Sequence, residues 1–121
     1  MVELTIILPV YNGWPYIETA VDSILDQTFE NFLLFIINDG STDGTTEYLK
    51  SINDKRVRVF NQENRGLGYS LNRGLKEVTT PFVARMDADD YSCKRRFEKQ
   101  LDFLKSNPDI GACGTFFHYF S

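Results

Sequence analysis

Short apolar runs rich in β-branched residues alternate with segments of helical periodicity along this chain. The alternation predicts an α/β fold, with a mostly parallel, Rossmann-like sheet whose right-handed crossover helices cover both faces. The predicted strands are LTIILPV (4–10), FLLFIIN (32–38), VRVF (57–60), PFVARM (81–86) and IGACGTFF (110–117). FLLFIIN is nearly all apolar, as is typical of a strand covered on both faces.

Four helices are predicted between these strands. The first covers 15–27 with Pro15 in its first turn, and the second is capped by Ser41, Thr42 or Asp43 and runs to about Ile52. The fourth covers 93–107 and stops before Pro108. Apolar residues at helical spacing predict the inward faces: Ile17, Ala20, Val21, Ile24 and Leu25; then Tyr48, Leu49 and Ile52; then Leu67, Leu71, Leu75 and Val78; and finally Phe97, Leu101 and Leu104.

Polar segments follow the first four predicted strands, at the point where each strand ends. They are YNG, NDGSTDG, NQENRG and DADD. In parallel α/β sheets, ligands bind outside the carboxyl ends of the strands. Because four separate segments meet at this edge, we predict a ligand site there.

The DADD segment places Asp87, Asp89 and Asp90 within four positions of one another. Two like unit charges about 4 Å apart repel by about 4 kcal/mol at an effective dielectric constant near 20. A solvated surface turn accounts for such a group as well as a cation site does. An EF-hand is excluded because a strand precedes the segment and no Glu stands at the required position. If a cation binds, carboxylate oxygens favour Mg²⁺ or Mn²⁺, which share one or two carboxylates with substrate phosphates.

Two other loops offer weaker indications. Asp39 stands at the tip of the second strand, where its carboxylate could accept hydrogen bonds from a base or sugar, although NDGSTDG is equally a turn and helix start. GLGYSLNRG departs from a dinucleotide-binding fingerprint, because Leu71 replaces the third glycine and the loop follows the third strand. No P-loop pattern is present.

Composition limits the classes of partner. The 121 residues suffice for one domain, and the net charge of −4 opposes binding to nucleic acid or to an anionic membrane surface. LTIILPV is too short to span a bilayer. Cys93 and Cys113 form no CxxC pair and indicate a reduced, intracellular protein. His118 and both cysteines are interpreted as structural, and Trp14 either covers the core or walls the ligand site.

Five segments together resemble the nucleotide-sugar-binding part of a family 2 glycosyltransferase of the GT-A fold. They are ILPVYNG, INDGSTDGT, NRGLGYSLNRGL, ARMDADD and RRFEKQLDFLKSNPDIGACG, in family order and over essentially the whole chain. The resemblance implies metal-dependent, inverting transfer of a sugar from a nucleotide-diphosphate donor, with UDP as the expected nucleotide. The implied acceptor is a hydroxyl of a saccharide or glycolipid in polysaccharide or glycoconjugate synthesis, and the implied metal is Mg²⁺ or Mn²⁺.

The resemblance also implies roles by position. Pro9, Val10 and Tyr11 would wall the nucleobase, and Asp39 would accept a hydrogen bond from a base N–H. Asp89, the second Asp of the D-x-D motif, would coordinate the metal, with Asp87 near the ribose and metal and Asp90 orienting the loop. The full set of predicted donor-binding residues is Pro9, Val10, Tyr11, Asn12, Asp39, Asp87, Ala88 and Asp89. Arg96 and Gln100 match family positions without an assigned role.

The sequence also departs from the family pattern. Asn38 replaces the first Asp of the commoner DDGS version, and Leu71 stands where many members carry Arg. We find no convincing catalytic base after Asp90, and IGACGTFF still has strand character where the chain stops. We therefore expect residues 1–121 to be the N-terminal part of a longer glycosyltransferase domain, with the base beyond Ser121.

Two alternatives remain at this point. A nucleotidyltransferase would be expected to carry a glycine-rich basic loop after the first strand, but PVYNGWP has no Lys or Arg. A catalytically inactive sugar-nucleotide-binding module is the non-enzyme alternative. A phospho-receiver is disfavoured because no acidic pair follows the first strand. We expect a cytoplasmic protein; association with the inner face of the membrane, and self-association, stay open.

Overall fold

The computed structural model describes residues 1–112, in which four β-strands alternate with four α-helices. The elements are β1 (Leu4–Val10), α1 (Tyr16–Leu25), β2 (Phe32–Asp39), α2 (Thr45–Ser51), β3 (Val57–Gln62), α3 (Leu67–Lys76), β4 (Phe82–Arg85) and α4 (Arg96–Ser106). The predicted fifth strand has no counterpart at residues 110–112, and the rest of it, with Cys113 and His118, lies outside the described residues.

The four strands form one parallel sheet in the order β3-β2-β1-β4. The central strand β1 pairs with β2 from Leu4↔Phe32 to Val10↔Asn38, and with β4 from Leu4↔Phe82 to Ile7↔Arg85. The predicted α/β architecture with a parallel sheet is thereby confirmed. Because the chain leaves β1 towards β2 and later returns to its other side as β4, the crevice for a ligand falls between β1 and β4.

One face of the sheet carries the main hydrophobic core. Alternate residues of β1 pack into it together with apolar side chains of α1, α2 and α4. As predicted, Ile17, Ala20, Val21 and Ile24 of α1 are fully buried, as are Phe97 and Leu101 of α4. This core fixes α1 and α4 on the same side of the sheet.

Helix α3 covers the opposite face, and its predicted inward stripe is wrong at Leu67 and Leu75, whereas Leu71 and Val78 are half-buried. Leu67 and Leu75 are each 50% exposed, whereas the buried residues of α3 are Ser70 and Gly74. A methyl group on Gly74 would lie only 2.9 Å from the Ile7 Cγ2 atom, so the helix backbone lies close against β1. Small residues permit this approach, and Leu75, one position after Gly74, is turned away from the sheet by about 100°.

Several predicted boundaries move by one to four residues. Pro15 immediately precedes α1, and α4 begins at Arg96. Helix α2 begins at Thr45, and the Asp43 Oδ1 atom accepts a hydrogen bond from the Thr45 N–H at 2.9 Å. Within residues 1–112, none of the helices is both long and apolar enough to cross a bilayer.

Candidate functional site

A cavity of about 340 Å³ opens at the carboxyl ends of the strands, beside the β1–β4 crevice. It is lined by Pro9, Val10, Tyr11, Asn12, Gly13, Tyr16, Ala88 and Asp89. Six of the eight predicted donor-binding residues are in this lining, and two, Asp39 and Asp87, are not. The structure thus brings the loop after β1 and the acidic segment after β4 to one cavity.

Tyr16 and Gly13 line the cavity but were not predicted to be site residues. Tyr16 is the first residue of α1 and is 68% exposed, and Tyr11 is 52% exposed. Their rings therefore offer aromatic surface at the cavity, and such surface can stack with a nucleobase. A sequence signal for Tyr16 was available in its spacing from Tyr11. Tyr16 follows Tyr11 by five residues and begins α1, the helix that follows the same loop.

The loop after β1 is held by the loop after β2. Asn12 has a φ of 52°, a left-handed conformation that Asn tolerates better than most residues. Its N–H donates to the Ser41 Oγ atom at 3.0 Å, and its Oδ1 atom accepts from the Thr42 N–H at 2.7 Å. The Gly13 N–H donates to the Thr45 Oγ1 atom at 3.0 Å. The Asn12 side chain therefore anchors the cavity wall to the loop after β2, and the Gly13 N–H anchors it to the first residue of α2.

Trp14 packs over α2 and does not line the cavity. Its ring centroid lies 5.7 Å from that of Tyr48, and a methyl group on Gly44 would lie 3.0 Å from its Cδ1 atom. The Trp14 N–H donates to the Asp43 Oδ2 atom at 3.2 Å. Trp14 is 43% exposed and contacts Tyr48, which itself packs against the core, so Trp14 belongs neither to the core cluster nor to the lining of this cavity.

Asp39 is the last residue of β2 and is 5% exposed. Its Oδ1 atom accepts hydrogen bonds from the Arg65 N–H at 2.7 Å and the Gln62 Nε2 atom at 2.9 Å, and its Oδ2 atom accepts from the Gly66 N–H at 3.0 Å. Burial raises the pKa of this carboxyl, but the hydrogen bonds from Gln62, Arg65 and Gly66 outweigh it and hold the pKa below its usual value. The carboxylate is therefore ionised and fixes the loop between β3 and α3.

The predicted contact between Asp39 and a base N–H stays a prediction. A carboxylate oxygen has two lone-pair sites, and the hydrogen bond from Gly66 occupies one of those on the Oδ2 atom. Asp39 thus combines a structural role with remaining acceptor capacity.

The hydrogen bonds of Asn38 account for its presence where the DDGS pattern has an Asp. Its Nδ2 atom donates to the Thr46 Oγ1 atom and to the Asn61 Oδ1 atom, both at 3.0 Å. The buried amide thereby joins β2 to α2 and β3. A neutral donor suits this position because both partners accept.

The acidic segment is crowded, as the sequence predicted. Burial raises the pKa of Asp90, and the charges of Asp87 and Asp89 raise it further, against a smaller opposing effect of Arg96. The Arg85 Nη2 atom lies 3.2 Å from the Asp87 Oδ1 atom, and both side chains are about half exposed. Arg85 therefore reaches the edge that carries the aspartates.

The fit of a divalent cation depends on which ligands the protein must supply. Within residues 1–112, no three Asp, Glu, His or Cys side chains gather into a preformed metal cage. Mg²⁺ and Mn²⁺ need no such cage, because they keep waters and use one or two carboxylates together with substrate phosphates. Asp89 at the cavity and Asp87 beside it fit that mode of binding.

Arg96 ties together the two ends of the acidic segment. Its Nη2 atom donates to the Arg85 carbonyl oxygen at 3.0 Å, and its Nη1 atom donates to the Ser92 Oγ atom at 2.9 Å. Gln100 lies one turn further along α4. The role of Arg96 in the structure is thus to close the segment, and any role of Gln100 in binding stays a prediction.

Comparison with known proteins identifies a family and individual proteins to which this chain is similar. The sequence model of the family described as Glycosyl transferase family 2 matches residues 5–121. An uncharacterized glycosyltransferase of Haemophilus influenzae is 40% identical over 116 residues, which cover 93% of this chain and 36% of that protein.

Solved GT-A glycosyltransferases share the fold. S. aureus TarS 1–349 in complex with UDP-GlcNAc superimposes with a TM-score of 0.81 at 28% identity, over 88% of this chain and 32% of that one. The mannosyltransferase PcManGT from Pyrobaculum calidifontis, in complex with GDP-Man and Mn²⁺, gives a TM-score of 0.80 at 26% identity, over 90% and 34%. The chain thus spans about a third of the length of these similar proteins.

Proposed function

The chain belongs to glycosyltransferase family 2, and from that membership we propose that it binds a nucleotide-diphosphate sugar, with UDP as the nucleotide, in the cavity between β1 and β4. The proposed reaction is metal-dependent, inverting transfer of the sugar to a hydroxyl of a saccharide or glycolipid acceptor. Because the chain belongs to this family, we no longer keep the nucleotidyltransferase as an alternative function. Residues 1–121 are proposed to be the nucleotide-binding part of a longer catalytic domain.

The composition of the cavity carries this proposal. Tyr11 and Tyr16 supply aromatic surface and Asp89 supplies a carboxylate in one cavity of about 340 Å³, a volume within the range of small-molecule sites. A nucleoside diphosphate has the matching features, since a base can stack on the tyrosines while a cation joins its phosphates to Asp89. The complexes of TarS with UDP-GlcNAc and of PcManGT with GDP-Man and Mn²⁺ support the same ligand class.

Several residues of this chain have separate roles in the proposed mechanism. Asp89 and Asp87 would hold Mg²⁺ or Mn²⁺, which when bound neutralises the negative charge that grows on the departing diphosphate. Arg85 balances the charge of Asp87. Asn12, through Ser41 and Thr42, keeps Tyr11 at the cavity wall, so that the donor meets a preorganised site.

Base preference tests the proposal. Asp39 is not among the residues that line the cavity, so the test concerns the separate expectation that its remaining acceptor site takes the N3–H of uracil. If it does, CDP should bind more weakly than UDP, because cytosine has no proton at N3. Losing a hydrogen bond to a charged group costs about 1.5–3 kcal/mol, so the expected preference is about tenfold or more. Calorimetric titration of UDP and CDP into the protein measures it.

Two variants identify the residue responsible. Asp39→Ala should erase the preference, whereas Gln62→Ala, which removes one partner of Asp39 but keeps its carboxylate, should retain it. Thermal unfolding of each variant checks that it is folded. CDP binding as tightly as UDP would contradict the assignment of Asp39, and tight GDP binding would reassign the donor nucleotide.

A further inference from the structure

Gln27 lies two residues beyond α1, is 4% exposed, and bonds to a segment far along the chain. Its Nε2 atom donates to the carbonyl oxygens of Cys93 at 2.7 Å and Ser92 at 3.3 Å, and to that of Ser23 at 3.0 Å. Its Oε1 atom accepts from the Phe97 N–H at 3.2 Å. One side chain thereby joins α1 to the stretch between the acidic segment and α4.

Ser92 completes this attachment. Its N–H donates to the Ser23 Oγ atom at 3.0 Å, and its own Oγ atom lies 3.0 Å from the Met86 Sδ atom and accepts from Arg96. Met86, Ser92 and Ser23 are all buried. Met86 and Ser92 flank the acidic residues, so both ends of the acidic segment are fixed to each other and to α1.

The stretch from Ala88 to Cys93 lies near both ends of α1. At the start of the helix, a methyl group on Gly13 would lie 3.5 Å from the Cβ atoms of both Ala88 and Ile17. At the end of the helix, Ser23 and Gln27 bind Ser92 and Cys93. Asp89 lies between these two attachments, whereas its own side chain is exposed at the cavity.

We propose that Gln27, with Ser92, is a positioning residue that sets the place of Asp89 relative to the tyrosines of the cavity. The proposal rests on the proposed function, because it assigns to Gln27 the part of nucleotide affinity that depends on a divalent cation. α1 carries Tyr16 at its first residue and is followed by Gln27, so it fixes the distance between the aromatic and acidic parts of the site. Glutamine suits the position because it donates to carbonyl oxygens and accepts from an N–H with one side chain.

The test compares UDP affinity in Mn²⁺ with UDP affinity in EDTA, by calorimetry on the full chain. Gln27→Met preserves approximate size and removes the hydrogen bonds, and Ser92→Ala removes the contacts of the Oγ atom with Met86 and Arg96. The control is Thr5→Val, which removes the partly buried Thr5–Thr80 hydrogen bond of 2.7 Å at the other end of β1.

Gln27→Met and Ser92→Ala should each lower the ratio of the two affinities by about tenfold, as is typical when a support of a metal ligand is lost, with the affinity in EDTA unchanged. Thr5→Val should lower the thermal unfolding midpoint and keep the wild-type ratio. Ser92→Ala keeps both backbone links of Ser92 to α1 and Gln27, so if Gln27→Met does not fold, Ser23→Ala decides, because it removes the α1 acceptor of the Ser92 N–H and should lower the ratio in the same way. A wild-type ratio in the folded variants would overturn the positioning role alone. A wild-type protein that binds UDP equally in Mn²⁺ and EDTA would overturn both this role and the proposed metal site.

Discussion

Asp39 shows how one residue predicted for the site also serves the fold. Its carboxylate holds the backbone of Arg65 and Gly66, at the start of α3, against the end of β2. Because the folded state favours the ionised form, the unfolded state binds more protons at acidic pH. The contribution of Asp39 to stability is therefore complete above the unfolded pKa, near 3.8, and is lost as the pH falls through the lower folded pKa.

Asp39→Asn tests this contribution. At pH 7 the substitution should lower the free energy of unfolding by about 1–3 kcal/mol, because one accepting oxygen becomes an NH2 group that cannot accept from a backbone N–H, and the remaining oxygen carries no charge. The difference from wild type should shrink as the pH falls below 3.8. Urea unfolding of both proteins between pH 7 and pH 3 measures it, and a difference that stays constant with pH would contradict the role of the charge.

Single residues also mark the limit of prediction at this scale. The sequence predicts Asp39 and Asp89 as polar residues at strand ends, because the strand pattern locates those ends. It does not predict that Asp39 binds the backbone of Arg65 and Gly66, or that Gln27 binds Ser92, because nothing local relates residues 26 to 65 positions apart. Tyr16 was missed because a tyrosine in an amphipathic helix has many possible roles.

At the scale of the element, α3 is the helix whose packing differs most from its pattern. A leucine stripe predicted its inward face, yet its buried residues are Ser70 and Gly74, and Gly74 is the residue that lies against β1. Apolar periodicity locates a helix well, but it selects the wrong face when close packing requires small residues. The strands and α1 were predictable because their apolar residues are also the ones that are buried.

Gly74→Ala and Gly68→Ala give opposite expected effects within α3. Alanine favours a helix over glycine by about 1 kcal/mol, but overpacking a core costs about 1–3 kcal/mol. The new Cβ atom at position 74 would meet fully buried Ile7 at 2.9 Å, so Gly74→Ala should destabilise the protein by about 1 kcal/mol net. A methyl group on Gly68 would meet no heavy atom within 4 Å, so Gly68→Ala should stabilise by up to about 1 kcal/mol.

Urea unfolding at neutral pH measures both variants of α3. The matched pair separates packing from helix propensity, because the same chemical change is made twice in one helix. Equal stability of Gly74→Ala and Gly68→Ala would show that α3 does not lie as close to β1 as described.

At the scale of the whole molecule, topology assembles the site. Alternating strands and helices predicted a parallel sheet, and the polar strand ends predicted a site at its carboxyl edge. The strand order could not be predicted from the local pattern. It depends on where β4 joins the sheet after α3, and no local pattern shows that β4 pairs with the free edge of β1. That order places Ala88 and Asp89 beside the loop of Tyr11, and so decides which of the four polar segments form the cavity.

The 121-residue chain should bind donor nucleotide without transferring sugar. After Asp90 the acidic residues are Glu98, Asp102 and Asp109, and none of them lines the cavity. Glu98 is already engaged, since its Oε2 atom accepts from the Thr28 Oγ1 atom at 2.6 Å and its Oε1 atom lies 3.2 Å from the Arg95 Nη2 atom.

A base must come within hydrogen-bonding distance of the acceptor hydroxyl. UDP release from a panel of UDP-sugars and acceptors measures transfer, and robust acceptor-dependent turnover by residues 1–121 would place the base among them.

The central claim, that Asp89 binds a donor nucleotide through a divalent cation, is tested most directly by calorimetric titration of UDP in Mn²⁺ and in EDTA. The wild type should bind UDP at least about tenfold more tightly in Mn²⁺, a difference of about 1.4 kcal/mol. Asp89→Asn should lose most of this gain, and Asp102→Asn, which removes an exposed carboxylate on α4, should keep it. Equal UDP affinity of the wild type in Mn²⁺ and in EDTA, or an undiminished gain in Asp89→Asn, would contradict the account.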